Sequence, residues 1–228
     1  LSAKFNIKPF TAANTGHQLG GWFKKPIDSL NDLNGLKVRM PGLGGEVLRR
    51  LGASPVTIPG GEIFAGLQSG LIDGAEWVGP WNDLAFGFYR EAKYYYWPGF
   101  QEPGAQCAAG VNLDVWNGMT PQEQAIIASA CHRANYLCLA EFTHYNGVAL
   151  EQLVKEHGVE VRKFPDEVMA AIARESKTAL EEAAASDDIT RRVFESYRAE
   201  LNRVKEWSRI SDEAFLAALL QDMGALAL

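Results

Sequence analysis

The order of short apolar runs between residues 36 and 78 constrains this chain most. Residues 36–40 read as a strand, 46–51 as a helix, 55–58 as a strand, 62–68 as a helix and 72–78 as a strand. Gly52, Gly60, Gly61 and Gly70 stand between them, where helix ends and turns call for glycine. A strand–helix alternation of this kind builds a mostly parallel sheet covered on both faces. Ligands of such sheets sit beyond the carboxyl ends of the strands, so residues at those ends are the first candidates for function.

The chain changes character near residue 120, because 19 of its 22 glycines precede that point. This predicts an α/β region over 1–120, with further extended segments at 94–97 and 106–113, and a helical region over 121–228. Thr120-Pro121-Gln122-Glu123 is a capping box with proline at the first helical position. Apolar residues follow at Ile127, Ala130, Ala134, Leu137, Phe142 and Tyr145, a pattern that reaches His157-Gly158. A second helix is predicted from Pro165 to about Ala185. The third starts at Asp187-Asp188 and carries Ile189, Val193, Tyr197, Leu201 and Val204 on one stripe.

Charge and cysteine content exclude several classes. The formal charge is −6 and no Lys/Arg cluster offers a footprint for a phosphate backbone. No run approaches the roughly 18 apolar residues of a membrane span. There are three cysteines and no CxxC pair, which encodes neither a zinc site nor a disulfide scaffold. Cys131 and Cys138 are seven residues apart on a predicted helix, about 10.5 Å along its axis, beyond disulfide reach. Like Cys107, they read as small buried apolar side chains. The first residues show no initiator Met, basic segment or apolar segment of a leader.

Four isolated histidines give no HxxxH or HExxH spacing. His17 reads first as a hydrogen-bonded loop residue, then as a pocket residue, and last as a general base. No serine occupies a GxSxG elbow, and the adjacent Cys131 and His132 lie on a predicted helix where consecutive side chains do not face each other, so nucleophilic catalysis finds no support. Pro41-Gly42-Leu43-Gly44-Gly45 matches neither phosphate-binding fingerprint and reads as a structural turn opening a helix. Arg39 ends the strand before it, where a guanidinium fork suits a carboxylate, although a salt-bridged arginine is the ordinary alternative. Glu76 and Trp77 end another predicted strand, close to Asn82 and Asp83. Glu102 closes a segment containing eight aromatics between residues 86 and 100 that either fills a core or walls a pocket. Carboxylates and an amide at loop ends serve acid–base work or bind a hard cation through oxygen.

Four segments, Thr15-Gly16-His17-Gln18-Leu19-Gly20-Gly21-Trp22-Phe23, Leu33 through Gly45, Leu51 through Val56 and Gly70 through Pro80, occur in an order that resembles the substrate-binding proteins of tripartite ATP-independent periplasmic (TRAP) transporters. Glu76-Trp77-Val78-Gly79-Pro80 and Tyr94-Tyr95-Tyr96-Trp97-Pro98-Gly99 are most similar to the branch binding 2-oxo or 2-hydroxy monocarboxylates such as pyruvate or lactate. The resemblance implies a two-lobed α/β fold of the periplasmic-binding-protein type II kind, with a mostly parallel sheet core and long C-terminal helices. It implies an extracytoplasmic receptor in the periplasm of a Gram-negative bacterium, not an enzyme, that hands its ligand to TRAP membrane subunits for cation-coupled uptake. Arg39 matches the position that pairs with the substrate carboxylate. Gln18, Glu102 and the backbone carbonyl of Trp77 match the positions holding a bridging cation, Na⁺ or Ca²⁺. The Trp77 ring, Gln18, Glu76 and Asn82 are the further substrate contacts expected. Branch members can pair through a long C-terminal helix, here around 189–207, which implies a homodimer. Members begin with a signal peptide and further βα units, so the chain resembles a member truncated at its N-terminus. An enzyme using Glu102 or His17 beside Arg39, or a ligand-sensing domain, is the alternative on the same scaffold.

Overall fold

The computed structural model describes residues 1–102 and 104–222. Two compact units divide the chain, Leu1–Ile172 and Ala173–Leu228. The first holds both sheets.

In the larger sheet, β3 (Lys37–Arg39) is central to the strand–helix alternation. It pairs in parallel with β4 (Ser54–Val56) on one side and β5 (Gly74–Ala75) on the other. Helices α1 (Gly42–Arg50) and α2 (Ile63–Ser69) make the crossovers, as the sequence pattern predicts. The strands are shorter than expected. Residues 57–58 and 76–78, read as strand, leave the ladder and form the loops that carry the site.

The sheet is mixed rather than parallel throughout. Its order is β4-β3-β5-β2-β6-β8, with β2 (Gly21–Phe23) inserted antiparallel between β5 and β6 (Tyr94–Trp97). Strand β8 (Glu160–Lys163) closes it in parallel with β6. No strand–helix alternation announces β2, because it pairs with strands distant in sequence. Strands β1 (Ile7–Asn14) and β7 (Gln106–Asn112) form a separate antiparallel ribbon, followed by the short α4 (Leu113–Gly118).

The core forms where β2 and β6 lie in register. Trp22 faces Tyr95 across the ladder, and their rings stack with centroids 4.0 Å apart. Ile63, Leu67, Ile72, Phe88 and Leu153 complete the same buried cluster. The aromatic segment is therefore partly core, with Phe88, Tyr95 and Tyr96 buried, and partly surface, with Phe86 and Trp97 exposed.

Helix α3 (Pro80–Phe86) starts directly after the Glu76–Gly79 loop and packs on α5 (Pro121–Lys155). Asn146 of α5 accepts the Trp81 amide proton at 3.0 Å, which satisfies one of the free donors at the α3 N-terminus. The predicted capping box of α5 is present, with Thr120 and Glu123 each bonding the other's backbone. At 35 residues, α5 is about 52 Å long. It runs along β1 and buries Ala149 and Leu153 near its C-terminal end. The predicted stripe is less buried than the periodicity suggests, since Leu137 and Tyr145 stay exposed. The cysteines also depart from expectation: Cys107 is exposed, Cys131 and Cys138 are half-buried, and all three are free.

Helix α6 (Asp166–Ala185) begins one residue after Pro165. Within the second unit, α7 (Asp188–Ser208) is capped by Asp187, which accepts from the Thr190 amide at 2.9 Å. Its predicted stripe, Ile189, Val193, Tyr197, Leu201 and Val204, is solvent-exposed. Among the described residues, no helix is long and apolar enough to cross a membrane.

Candidate functional site

The register of β3 and β5 assembles the site. Arg39 lies opposite Ala75, so Glu76 is the first residue past the ladder beside it, and the Glu76 amide donates to the Arg39 carbonyl at 3.1 Å. Two residues far apart in sequence are thus placed at neighbouring strand ends, where α/β sheets receive their ligands.

Both side chains are buried, Arg39 8% exposed and Glu76 3%. The guanidinium is held on one side. Its Nε donates to the Ile58 carbonyl at 3.3 Å, and Nη1 donates to the Glu76 carbonyl at 3.0 Å and to Glu76 Oε1 in an ion pair. Nη2 makes no hydrogen bond to any described residue. Arg39 also lies over the Trp77 ring, 5.2 Å from its centroid. Arg39 is thus salt-bridged, the ordinary alternative of its sequence reading.

Burial raises the Glu76 carboxyl to about 7; the Arg39 charge opposes this, and the Glu102 and Asp83 carboxylates add to it. A cleft of about 330 Å³ opens beside Glu76 and is bordered by Pro41, Gly42, Gly44, Gln101 and Glu102. The Pro41–Gly45 turn, read from sequence as structural, is part of this wall. Helix α1 starts there without a side-chain cap, leaving first-turn N–H groups for an anion. Gly44 is required by packing, because a Cβ there would lie 2.7 Å from Gln101 Cβ.

Trp77 is held against Gly60, where a Cβ would fall within 2.9 Å of three atoms of the indole. Its Nε1 is buried without an acceptor among the described residues. Below it, Asp83 forms a buried anchor. Its Oδ2 accepts from Trp22 Nε1 at 2.8 Å and the Tyr95 hydroxyl at 2.7 Å, and Oδ1 accepts from the Val78 amide at 3.2 Å. Burial pushes the Asp83 carboxyl up to about 6, against these hydrogen bonds. Sequence reading passed over this role; the signal was a lone acid among apolar and aromatic positions of a short helix.

Gln18 is buried, and its Nε2 donates to Thr15 Oγ1 at 3.2 Å. One residue on, the Leu19 carbonyl accepts from Nε2 of the cleft residue Gln101 at 3.0 Å. Gln18 Oε1 and Glu76 Oε2 are buried oxygens with no hydrogen-bond partner among the described residues. Orphaned buried acceptors are costly unless a donor or cation meets them. Oxygen donors of this sort fit a hard cation, so the residues present suit the expected Na⁺ or Ca²⁺. Among the described residues, no three His, Cys, Asp or Glu gather as a metal cluster. A cation here would rely on amide, carboxylate and carbonyl oxygens together.

The structure thus groups Arg39, Glu76 and Trp77 directly, and places Glu76 and Glu102 on one cleft. Asn82 is half-buried in the first turn of α3 and has no hydrogen bond to a described residue. His17 is exposed on a different cavity, with Asn14, Gln106 and Thr143.

Comparison with known proteins identifies the family. A monocarboxylate 2-oxoacid-binding periplasmic protein of Nostoc sp. (strain PCC 7120) is 40% identical over 215 residues, 94% of this chain and 59% of its own length. A TRAP periplasmic solute binding protein from Colwellia psychrerythraea, solved with bound calcium and pyruvate, superposes with TM-score 0.90 at 41% identity, covering 95% of this chain and 66% of that one. Another, from Pseudoalteromonas atlantica T6c with bound sodium and pyruvate, gives 0.89 at 40% identity over the same shares. This chain therefore spans about three fifths of the curated relative. The two-lobed α/β fold expected from the resemblance is the one these neighbours share. The model of the bacterial extracellular solute-binding proteins, family 7, matches residues 3–187, and by that match the chain belongs to the DctP family.

Proposed function

We propose that the chain is the ligand-binding portion of an extracytoplasmic TRAP solute receptor for a small 2-oxo or 2-hydroxy monocarboxylate such as pyruvate or lactate. The observation that carries this reading is the Arg39 guanidinium, buried, fixed by Ile58 and Glu76, with Nη2 unused by the described residues at the strand ends. A fixed guanidinium edge over an indole offers a carboxylate charge-assisted hydrogen bonds with little reorganisation. The buried Trp77 Nε1 adds a second unused donor.

Glu76 and Glu102 create the difficulty that a cation resolves. An anionic ligand beside two carboxylates meets repulsion in a partly desolvated cleft. Gln18 Oε1, the Trp77 carbonyl and the Glu102 carboxylate hold a bridging Na⁺ or Ca²⁺ in this reading, which turns repulsion into attraction. The two relatives solved with pyruvate carry bound sodium or bound calcium in the same structure. Gln18, Glu76 and Asn82 complete the substrate contacts proposed.

The receptor reading also assigns TRAP membrane subunits as partners, the periplasm of a Gram-negative bacterium as the compartment, and binding without chemical conversion. His17 and Glu102 are exposed and separated on different cavities, which favours a receptor over an enzyme. The region 1–120 supplies the α/β ligand-binding lobe region and 121–228 the helical part, with the exposed α7 stripe pairing two copies. Isothermal titration of full-length protein with pyruvate, lactate, glucose and lysine, with and without chelator, tests the assignment. Cation-dependent binding of the two acids alone is the expected result, and turnover of either acid overturns it.

A further inference from the structure

Thr15 opens the turn that carries Gln18. It is buried, and every hydrogen-bonding capacity of its hydroxyl is taken. Oγ1 accepts from Gln18 Nε2 at 3.2 Å and from the Ala105 amide at 2.9 Å, and donates to the Gly16 carbonyl at 3.2 Å. A threonine hydroxyl has one proton and two acceptor lone pairs. With its proton on Gly16, it meets Gln18 only as an acceptor. The glutamine amide must therefore turn its NH₂ toward Thr15, which leaves Oε1 on the other side, where it is the buried oxygen without a partner. A flipped amide would set two acceptors against each other.

The same residue holds a second part of the site. The Thr15 amide donates to the Ala105 carbonyl at 3.1 Å while the Ala105 amide returns to Thr15 Oγ1, so the chain just after Glu102 is bonded twice to Thr15. Two segments contributing oxygens from opposite ends of the α/β region meet at one hydroxyl.

We infer that Thr15 is the positioning residue of the cation site, fixing the amide of Gln18 with its oxygen toward the ion and tying the Glu102 segment to it. This rests on the reading that Gln18 supplies an oxygen to the cation. With its hydroxyl engaged by Gly16, Gln18 and Ala105, Thr15 acts through Gln18; it decides which face of the amide the ion meets.

Calorimetric titration of Ca²⁺ into full-length protein tests this. Thr15→Val removes the acceptor with little change of shape and is expected to weaken Ca²⁺ binding about tenfold or more, as outer-shell partners of metal ligands do. Thr15→Ser restores the hydroxyl and should return the affinity to within about twofold. In a Gln18→Glu background, adding Thr15→Val should cost clearly less than it does beside Gln18, because a carboxylate offers an oxygen whichever way it turns and only the tie to Ala105 is then lost. Equal losses in the two backgrounds would reduce Thr15 to a packing role and overturn the inference. Gln18→Ala is the separate control: unchanged Ca²⁺ affinity in that variant overturns the cation reading itself, whatever Thr15 does. If Thr15→Val does not fold, the unaltered metal-free protein still decides. One slowly exchanging side-chain N–H of Gln18 by NMR supports the fixed amide, and fast exchange of both overturns it.

Discussion

The Tyr95 hydroxyl donates to Asp83 Oδ2 at 2.7 Å, while the ring of Tyr95 stacks on Trp22, whose own indole N–H reaches the same oxygen. One carboxylate oxygen thus ties β2, β6 and α3, and the other holds Val78 in the loop behind Trp77. Asp83→Asn turns part of this acceptor into a donor facing Trp22. It should cost about 2–4 kcal/mol, since a buried donor loses its partner inside a satisfied network. Chemical denaturation of the variant against the parent measures this, and a loss below about 1 kcal/mol would show the anchor to be dispensable.

Stability should fall as pH rises through the weakly acidic range. Folding raises Asp83 from 3.8 to about 6 and Glu76 from 4.5 to about 7, burial being the main cause for both. Between those values the folded chain binds more protons than the unfolded one, so stability is highest below about pH 4 to 5 as far as these groups decide it and declines up to about pH 7. Each displacement corresponds to on the order of 3 kcal/mol. Denaturant midpoints of ligand-free protein at pH 5 and 7.5 should show the decline, and Glu76→Gln should flatten it. A rise with pH contradicts the assignment.

Arg39→Lys keeps the charge and loses the planar fork. Ligand affinity should drop by about 10- to 100-fold, in line with the ~1.5–3 kcal/mol of a hydrogen bond to a charged group. Calorimetry with pyruvate reads the change directly. Equal affinity in the variant would remove Arg39 from the carboxylate site.

Glu102→Gln should weaken cation and acid binding together, because binding at the two sites is coupled reciprocally. Without a bridging cation the sign reverses, since removing the carboxylate relieves repulsion on an anion. Titrations with and without Na⁺ or Ca²⁺ separate the two signs.

Gly60→Ala drives a methyl group into the Trp77 indole. The displaced ring should lose its place over Arg39, weakening the acid by about tenfold with a stability cost of about 1–3 kcal/mol. Indole fluorescence and calorimetry on one sample follow both effects.

Much of this protein was legible in its sequence because the responsible forces are local. Glycine placement and apolar spacing marked the β3-α1-β4-α2-β5 alternation, the capping box marked the start of α5, and Arg39 stood out as a guanidinium at a strand end. Other features were decided only in three dimensions. The position of β2 between β5 and β6 depends on Trp22 meeting Tyr95, a contact across more than seventy residues that no local period encodes. The pairing of Arg39 with Glu76 follows from the register of two parallel strands, which sets two chain-distant residues side by side. Asp83 and Thr15 are ordinary residues in sequence, and only burial beside fixed donors makes one an anchor and the other the residue that orients Gln18. Hydrophobic periodicity selects the elements, whereas desolvation and hydrogen-bond satisfaction, which act once the elements meet, select the site.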